Sequence, residues 1–495
     1  RVGSSAASDV YKRQTVLPGL VDSHTHFLTG GFQLSSVDLR EADTPKEFVD
    51  RIAASARSTE PGRWILGGSW DHERWGGQLP NRDWIDQVTP ANPVFVHRLD
   101  LHMALANTRA LEVAGFDPSR PDPPGGLVVR DPADGRPTGV LKDEAMTWVR
   151  SAVPSPTPGE WRQALVAAGA HALSLGITQV HDMDGWESLE VYESALAEGS
   201  LPLRVYAAVP VADWARLRDR IREVGWGGER LWWGGVKGFV DGSLGSATAW
   251  FHEPYDDAPG QTGLTLTDPE QLEAWILSAD SAGLQCLVHA IGDRANDWLL
   301  DVFGRLSQHN GRRLRRHRVE HAQHLTPEAS PRFSELGVLA SVQPYHAADD
   351  GRWAVRRVGA GRARTTYAFR SLLDAGAEVA FGSDWTVAPL NPFKGIWAAV
   401  TRRTLDGANP GGWQPQEKVS LQAALRAYTC TAARAGFAEG FSGSLTAGKV
   451  ADFVVLEEDL FSVPETELDS VCVSRTFVQG EEVYRKGSWS GGAEV

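Results

Sequence analysis

The stretch Leu17-Pro-Gly-Leu-Val-Asp-Ser-His-Thr-His-Phe27 decides the fold of this 495-residue chain. An apolar run, 17–21, leads into two histidines one residue apart. Residues i and i+2 of a β-strand share a face, so His24 and His26 point the same way and can grip one metal ion. Taken alone the pair fits two hydrogen-bonded polar side chains near a strand end equally well, because imidazole is both a common ligand and a common satisfied core group. What the later strands carry decides between the two.

From residue 160 onward a rhythm sets in, with helix-length segments alternating with short apolar strands. The strands are read at 177–182, 203–209, 233–240, 284–289, 318–321, 338–343 and 378–384. With the opening strand these make eight. Repeated β-then-α units imply parallel strands, and eight of them imply a (β/α)8 TIM barrel, an α/β fold. The spacing predicts that a helix over 421–433 closes the ring. Residues 62–154 are rich in Trp, Pro and Gly, with strand-like pieces at 64–67 and 93–97 and a helix at 103–114. A structureless loop of that size is improbable in a compact domain, so this region reads as a subdomain inserted into a barrel domain spanning 15–435. Residues 436–495 read as the remnant of a small β-sandwich, with strands inside 443–456 and 471–484. Its partner strands are expected ahead of Leu17 and are absent from the sequence, so the sandwich is expected to be amino-terminally truncated. Residues 1–14 have neither a signal-peptide apolar core nor a strand period and read as a non-native segment.

A formal charge of −14 argues against broad nucleic-acid binding, which needs basic surface to neutralise phosphates. No apolar stretch approaches the length of a membrane-spanning helix. Cys286, Cys430 and Cys472 lack metal-type spacing and cannot all pair, which points to a reducing, cytoplasmic setting with buried structural thiols. The expected partner is a small molecule, and homo-oligomerisation is compatible with the sequence. Only eight of the 49 basic residues are lysine, so Lys237 inside an apolar strand draws attention.

Barrel enzymes carry their reactive groups at the carboxyl ends of the strands. Here those ends hold His24 and His26 on the first strand, Lys237 on the fourth, His289 on the fifth, His321 on the sixth and Asp384 on the eighth. Six potential metal ligands on one rim weigh far more than one pair. On the motifs Pro18-Gly-Leu-Val-Asp-Ser-His-Thr-His26, Lys237-Gly-Phe-Val-Asp-Gly-Ser-Leu-Gly-Ser246, His289-Ala-Ile-Gly-Asp293, Val319-Glu-His321, Phe381-Gly-Ser-Asp384 and Gly443-Ser-Leu-Thr-Ala-Gly-Lys-Val-Ala-Asp452, the chain resembles the amidohydrolase superfamily. Within it the resemblance is to the YtcJ-like group that includes N-substituted formamide deformylase.

That resemblance implies a divalent metal, zinc by preference, as one or two ions. His24, His26 and Asp384 would hold one, His289 and His321 a second, and a carbamylated Lys237 would bridge them. The plainer reading of Lys237 is a buried ion-pair lysine, which leaves a single metal. The resemblance further implies that the metal lowers the pKa of a coordinated water, and that Asp384 takes its proton and passes it to a leaving nitrogen. The implied reaction is hydrolysis of a non-peptide C–N bond in an amide or N-substituted formamide. Ester or lactone cleavage and deamination can use the same ligands. A non-catalytic scaffold should have lost some of them.

Arg98, Asp100 and His102 in the inserted region, and His346 at the rim of strand seven, are candidate substrate contacts or loop braces. Trp385 is a candidate pocket wall, with Trp70, Trp75 and Trp353 suggesting an apolar pocket or plain packing. His181 reads as a satisfied core histidine and Cys286, of opposite parity to His289, as core packing. Gly242 and Gly245 read as serving backbone geometry.

Overall fold

The opening stretch splits at Gly19. In the computed structural model, which describes residues 14–487, Val16–Pro18 pairs antiparallel with Phe453–Leu456, whereas Leu20–Thr25 pairs parallel with Ile177–Asp182. Gly19 makes the junction: its N–H donates to Asp452 O at 2.9 Å, and a Cβ there would fall 2.1 Å from Thr178 Oγ1. The apolar run at 17–21 thus serves two sheets. This corrects the expectation that the small sheet lacks an amino-terminal partner, because Val16–Pro18 is one. The non-native reading of 1–14 lies outside the described residues, apart from Gln14.

Eight parallel strands follow one another around the barrel: Leu20–Thr25, Ile177–Asp182, Arg204–Pro210, Leu231–Phe239, Gln285–Ala290, Arg318–His321, Leu339–Val342 and Val379–Phe381. The last meets the first just past their ends, through a Thr25–Trp385 bridge, His26 N–H to Trp385 O at 2.6 Å and Asp384 N–H to His24 O at 2.7 Å. The barrel therefore closes at the same residues that carry the histidine pair and the aspartate. One apolar layer, including Val180, Val205, Val236 and Val288, packs between strands and outer helices. A second, including Val21, Tyr206, Leu287 and Ala380, fills the interior and continues into Ala432, Ala433 and Ala435.

That continuation corrects the expected single closing helix. The segment forms two helices, Leu421–Ala427 and Cys430–Ala435, broken at Thr429. The second plugs the end of the barrel opposite the rim, where Val21 N–H donates to Tyr428 O and Gln285 Nε2 to Ala435 O. Its alanines are small enough to enter. The helix that follows the eighth strand is Pro392–Thr401.

A six-stranded mixed sheet stands beside the barrel in the order Val37–Asp38, Ile65–Trp70, Val94–Arg98, Met103–Ala106, Pro137–Asp143, Gly126–Arg130. It reaches further back than residue 62 and owns a core containing Phe48, Trp70, Ile85 and Leu105. The expected helix over 103–114 is a strand followed by a shorter helix, Thr108–Val113, because Asn107 accepts from Ala110 N–H at 2.8 Å and caps it. The small antiparallel sheet is joined to the barrel by the buried ion pair of Arg204 with Asp452, at 2.6 Å. Among the described residues no helix is long and apolar enough to cross a membrane.

Candidate metal centre

Three histidines at the strand ends are oriented by acceptors behind them. His24 Nδ1 donates to Glu320 Oε2 at 2.6 Å, and Arg318 pins Glu320 at 2.7 Å. His26 Nδ1 donates to Asp184 Oδ1 at 2.9 Å, and His321 Nδ1 to Gln343 Oε1 at 2.8 Å. In His24 and His321, a ring whose Nδ1–H is spent in this way turns the Nε2 lone pair outward, the form in which imidazole ligates. Nε2 of His24 and of His26 lie 3.5 and 3.4 Å from Asp384 Oδ1. His24, His321 and Asp384 each offer a ligand atom within 4.8 Å of the other two.

The backbone there is unusual as well. His321 and Asp384 adopt left-handed conformations, φ 76° and 57°, which non-glycine residues hold only when their surroundings enforce them. Asp22, buried beneath, helps to enforce the second by accepting from the N–H groups of His24 and Ser383.

Burial holds the His24 imidazole down at about 4, with Lys237 adding to the effect, and holds His321 well below its ordinary value. Burial also opposes charge on His26, but hydrogen bonds to Asp184 and Asp384 outweigh it and bring the ring to about 10. For Asp384, burial works against ionisation, yet His24, His26 and His321 keep the carboxyl well below the usual range. Two neutral imidazoles and one carboxylate form an N,N,O donor set that suits a divalent ion of zinc type.

Lys237 lies against this set, its Nζ 3.3 Å from His24 Nε2, and burial lowers it to about 8 despite the pull of Glu320 and Asp384. His289, expected to share a second ion with His321, lies beside that ring. Its ring is 4.5 Å from that of His321, but Nε2 faces Gly242 O at 3.0 Å, so it stands outside the cluster of three.

A cavity of about 270 Å³ opens above, lined by all six expected metal ligands and by Arg98, Asp100, His102 and His346. The turn between Val94–Arg98 and Met103–Ala106 carries the first three of these into the barrel mouth. Arg98 is braced as well as displayed, with Asp71 at 2.9 Å and Asp100 at 2.8 Å. Gly245 permits its approach, since a Cβ there would fall 2.2 Å from Arg98 Nη1. His102 Nδ1 is 2.7 Å from Asp143 Oδ1. Trp353 lines the cavity and Trp70 is buried in the inserted core.

Trp385 is a correction. It turns away from the cavity and packs against Phe27 and His171, with ring centroids at 6.1 and 5.4 Å. It follows Asp384 directly and bonds the first strand through its backbone, so its side chain faces the opposite way. His181 is fully buried between Gln179, Arg318 and the Tyr206 ring, and Cys286 lies in the barrel-to-helix core. Glu320, Asp184, Gln343 and Asp143 were not foreseen in these orienting roles. Glu320 stands inside the quoted Val319-Glu-His321 motif, but its partner is 296 residues away, and nothing local announces the pairing.

The chain matches the Amidohydrolase family over residues 13–484 and belongs to it. It is 41% identical to the protein LONG AFTER FAR-RED 3 of Arabidopsis thaliana, over 95% of this chain and 82% of that one. It is 31% identical to the amidohydrolase YtcJ of Bacillus subtilis (strain 168), over 98% and 92% of the two chains. To the N-substituted formamide deformylase of Arthrobacter pascens it is 29% identical, over 96% and 89%. A crystal structure of a metal-dependent hydrolase from Pyrococcus horikoshii OT3 superposes with a TM-score of 0.73 at 31% identity, covering 91% of this chain and 88% of that one. The fold and family make this chain a metal-dependent hydrolase of the amidohydrolase superfamily.

Proposed function

We propose that the protein hydrolyses a non-peptide C–N bond in a small amide or N-substituted formamide. The observation that carries this reading is the buried His24, His321 and Asp384 cluster at the floor of the 270 Å³ cavity. A divalent ion, zinc by its donor set, would supply a hydroxide nucleophile at neutral pH and polarise the substrate carbonyl. The remaining work falls to the chain. Glu320 and Gln343 hold the His24 and His321 rings so that their lone pairs converge, and Asp184 fixes the His26 ring beside them. Asp384, ionised and 3.4 Å from His26 Nε2, accepts the proton released when water attacks and returns it to the departing nitrogen. Arg98, Asp100, His102 and His346 form the polar part of the wall that positions the substrate, and its amide-like character is supported by the similarity to the formamide deformylase.

Lys237 is the candidate for carbamylation. The burial that lowers it to about 8 supplies the neutral amine this addition needs. As a carbamate it would offer, with His289, donors for a second ion; as a free amine it leaves one.

Metal analysis of the purified protein, paired with a panel of N-substituted formamides, amides and esters, tests the reading. The expected result is stoichiometric divalent metal and fastest turnover on a C–N substrate, both lost in His24→Ala. Full activity of His24→Ala would overturn the mechanism, and turnover of esters alone would overturn the bond assignment.

A further inference from the structure

We propose that His346 donates a hydrogen bond from Nε2 to the substrate's carbonyl oxygen and holds the negative charge that develops there. This deepens the hydrolytic reading of the same cavity and rests on it.

His346 is the third residue of the short helix Pro344–Asp350, which follows strand seven directly. The residue that caps this helix, Gln343, orients His321. One turn of chain therefore places both histidines, and their rings stand nearly parallel, 10° apart with centroids at 6.4 Å. His346 lines the cavity, and its Nε2 is buried without a hydrogen-bond partner. A buried polar atom left unpaired carries a desolvation cost, so a ligand that satisfies it is favoured.

The direction of that unpaired atom narrows the ligand. Nε2 lies 4.0 Å from Asp384 Oδ2, beyond hydrogen-bonding distance, so the two face a common gap without closing it. Next to a carboxylate, the neutral ring is more stable with its proton on Nε2 than with a lone pair there. A donor is thus aimed at the place where Asp384 receives its proton. It also lies outside the cluster of His24, His321 and Asp384. When hydroxide adds to the carbonyl carbon, the C=O π electrons move onto oxygen, and the Nε2–H bond to that oxygen shortens without proton transfer. On collapse the C–N bond breaks, and nitrogen takes the proton held by Asp384. Preorganised donors of this kind act on the transition state more than on the ground state.

The test uses the full-length, metal-loaded protein with His346→Leu and His346→Gln. Calorimetry measures binding of N-ethyl methylphosphonamidate, an anionic tetrahedral mimic, alongside metal content, kcat and KM. The expected outcome for His346→Leu is a loss of about 10²-fold in mimic affinity and in kcat, with KM and metal content little changed. His346→Gln, whose amide N–H can reach the same oxygen, recovers most of the mimic affinity. Unchanged mimic affinity in the leucine variant overturns the proposal, and so does a loss of metal in both variants, which would make His346 a ligand. Ester and amide hydrolysis both pass through an oxyanion. If the parent cleaves esters alone, the C–N reading fails while the His346 effect on the mimic persists.

Discussion

Glu320 shows how much one buried side chain can settle. It accepts from His24 at 2.6 Å, is paired with Arg318 at 2.7 Å, and helps to keep charge on Lys237. Carboxylates in this position behind a ligating histidine raise metal affinity by about 10–100-fold. Glu320→Gln is expected to lower affinity by that factor in competition with a chromogenic chelator, and unchanged affinity would show that His24 needs no such support. A different residue sets a pH dependence. Burial pushes the Asp350 carboxyl up to about 7 from 3.8, with Asp349 adding to it and Tyr367 partly relieving it. Between about pH 4 and pH 7 the unfolded chain ionises this group while the folded chain keeps it protonated, so stability falls as pH rises through that window and levels off above it. Asp350→Asn removes this residue's share of the dependence, which Asp22 and Asp241, raised to about 7 by burial, also carry. Urea midpoints should favour the variant at about pH 8 and converge with the parent toward about pH 4, each tenfold difference in proton affinity between the folded and unfolded chains being worth about 1.4 kcal/mol.

Between elements, helices Phe27–Leu34 and Pro158–Ser174 approach closely near the site. A Cβ on Gly31 would fall 2.1 Å from Ala164 O, and one on Gly30 would fall 2.4 Å from the Trp385 ring. Gly31→Ala must push the first helix outward, at a cost of about 1–3 kcal/mol in denaturation experiments. Because that helix begins immediately after His26, turnover should fall as well. Element identity was largely legible, since period-two runs ending in His or Asp mark a barrel rim and Ile177–Asp182 and Arg318–His321 fall where their patterns place them. The parity of His24 and His26 was equally plain. Trp385 misled because its neighbour's importance says nothing about its own direction. The 103–114 segment misled because apolar spacing there fits either state, while the decisive signal was the capping side chain of Asn107. Partnerships such as Glu320 with His24 arise only when distant strands meet, and no single stretch contains them.

On the scale of the whole molecule, the inserted sheet is locked over the cavity by charge. Asp71 pairs with Arg352 at 3.2 Å, and Glu73 pairs with both Arg356 and Arg357. Arg98 anchors the same face from within, and a buried charge that loses its partner costs about 3–5 kcal/mol. Arg98→Ala should therefore lower the melting temperature more than loss of one surface ion pair, and Arg98→Lys should not restore it, because lysine cannot span Asp71 and Asp100 at once. Metal occupancy should be felt globally too. A ligand bound only by the folded state at 100 times its Kd adds about 2.7 kcal/mol, so chelation should lower the melting temperature and added zinc should raise it in a concentration-dependent way.

The junction at Gly19 gives the protein a mechanical character. Val16–Pro18 lies antiparallel along Phe453–Leu456, so tension transmitted from upstream runs along that ladder and loads its hydrogen bonds together in shear. One residue further on, the same chain becomes the barrel strand that carries His24 and His26. A load along Val16–Pro18 would therefore be borne first by its ladder with Phe453–Leu456, ahead of the strand on which the two histidines are mounted.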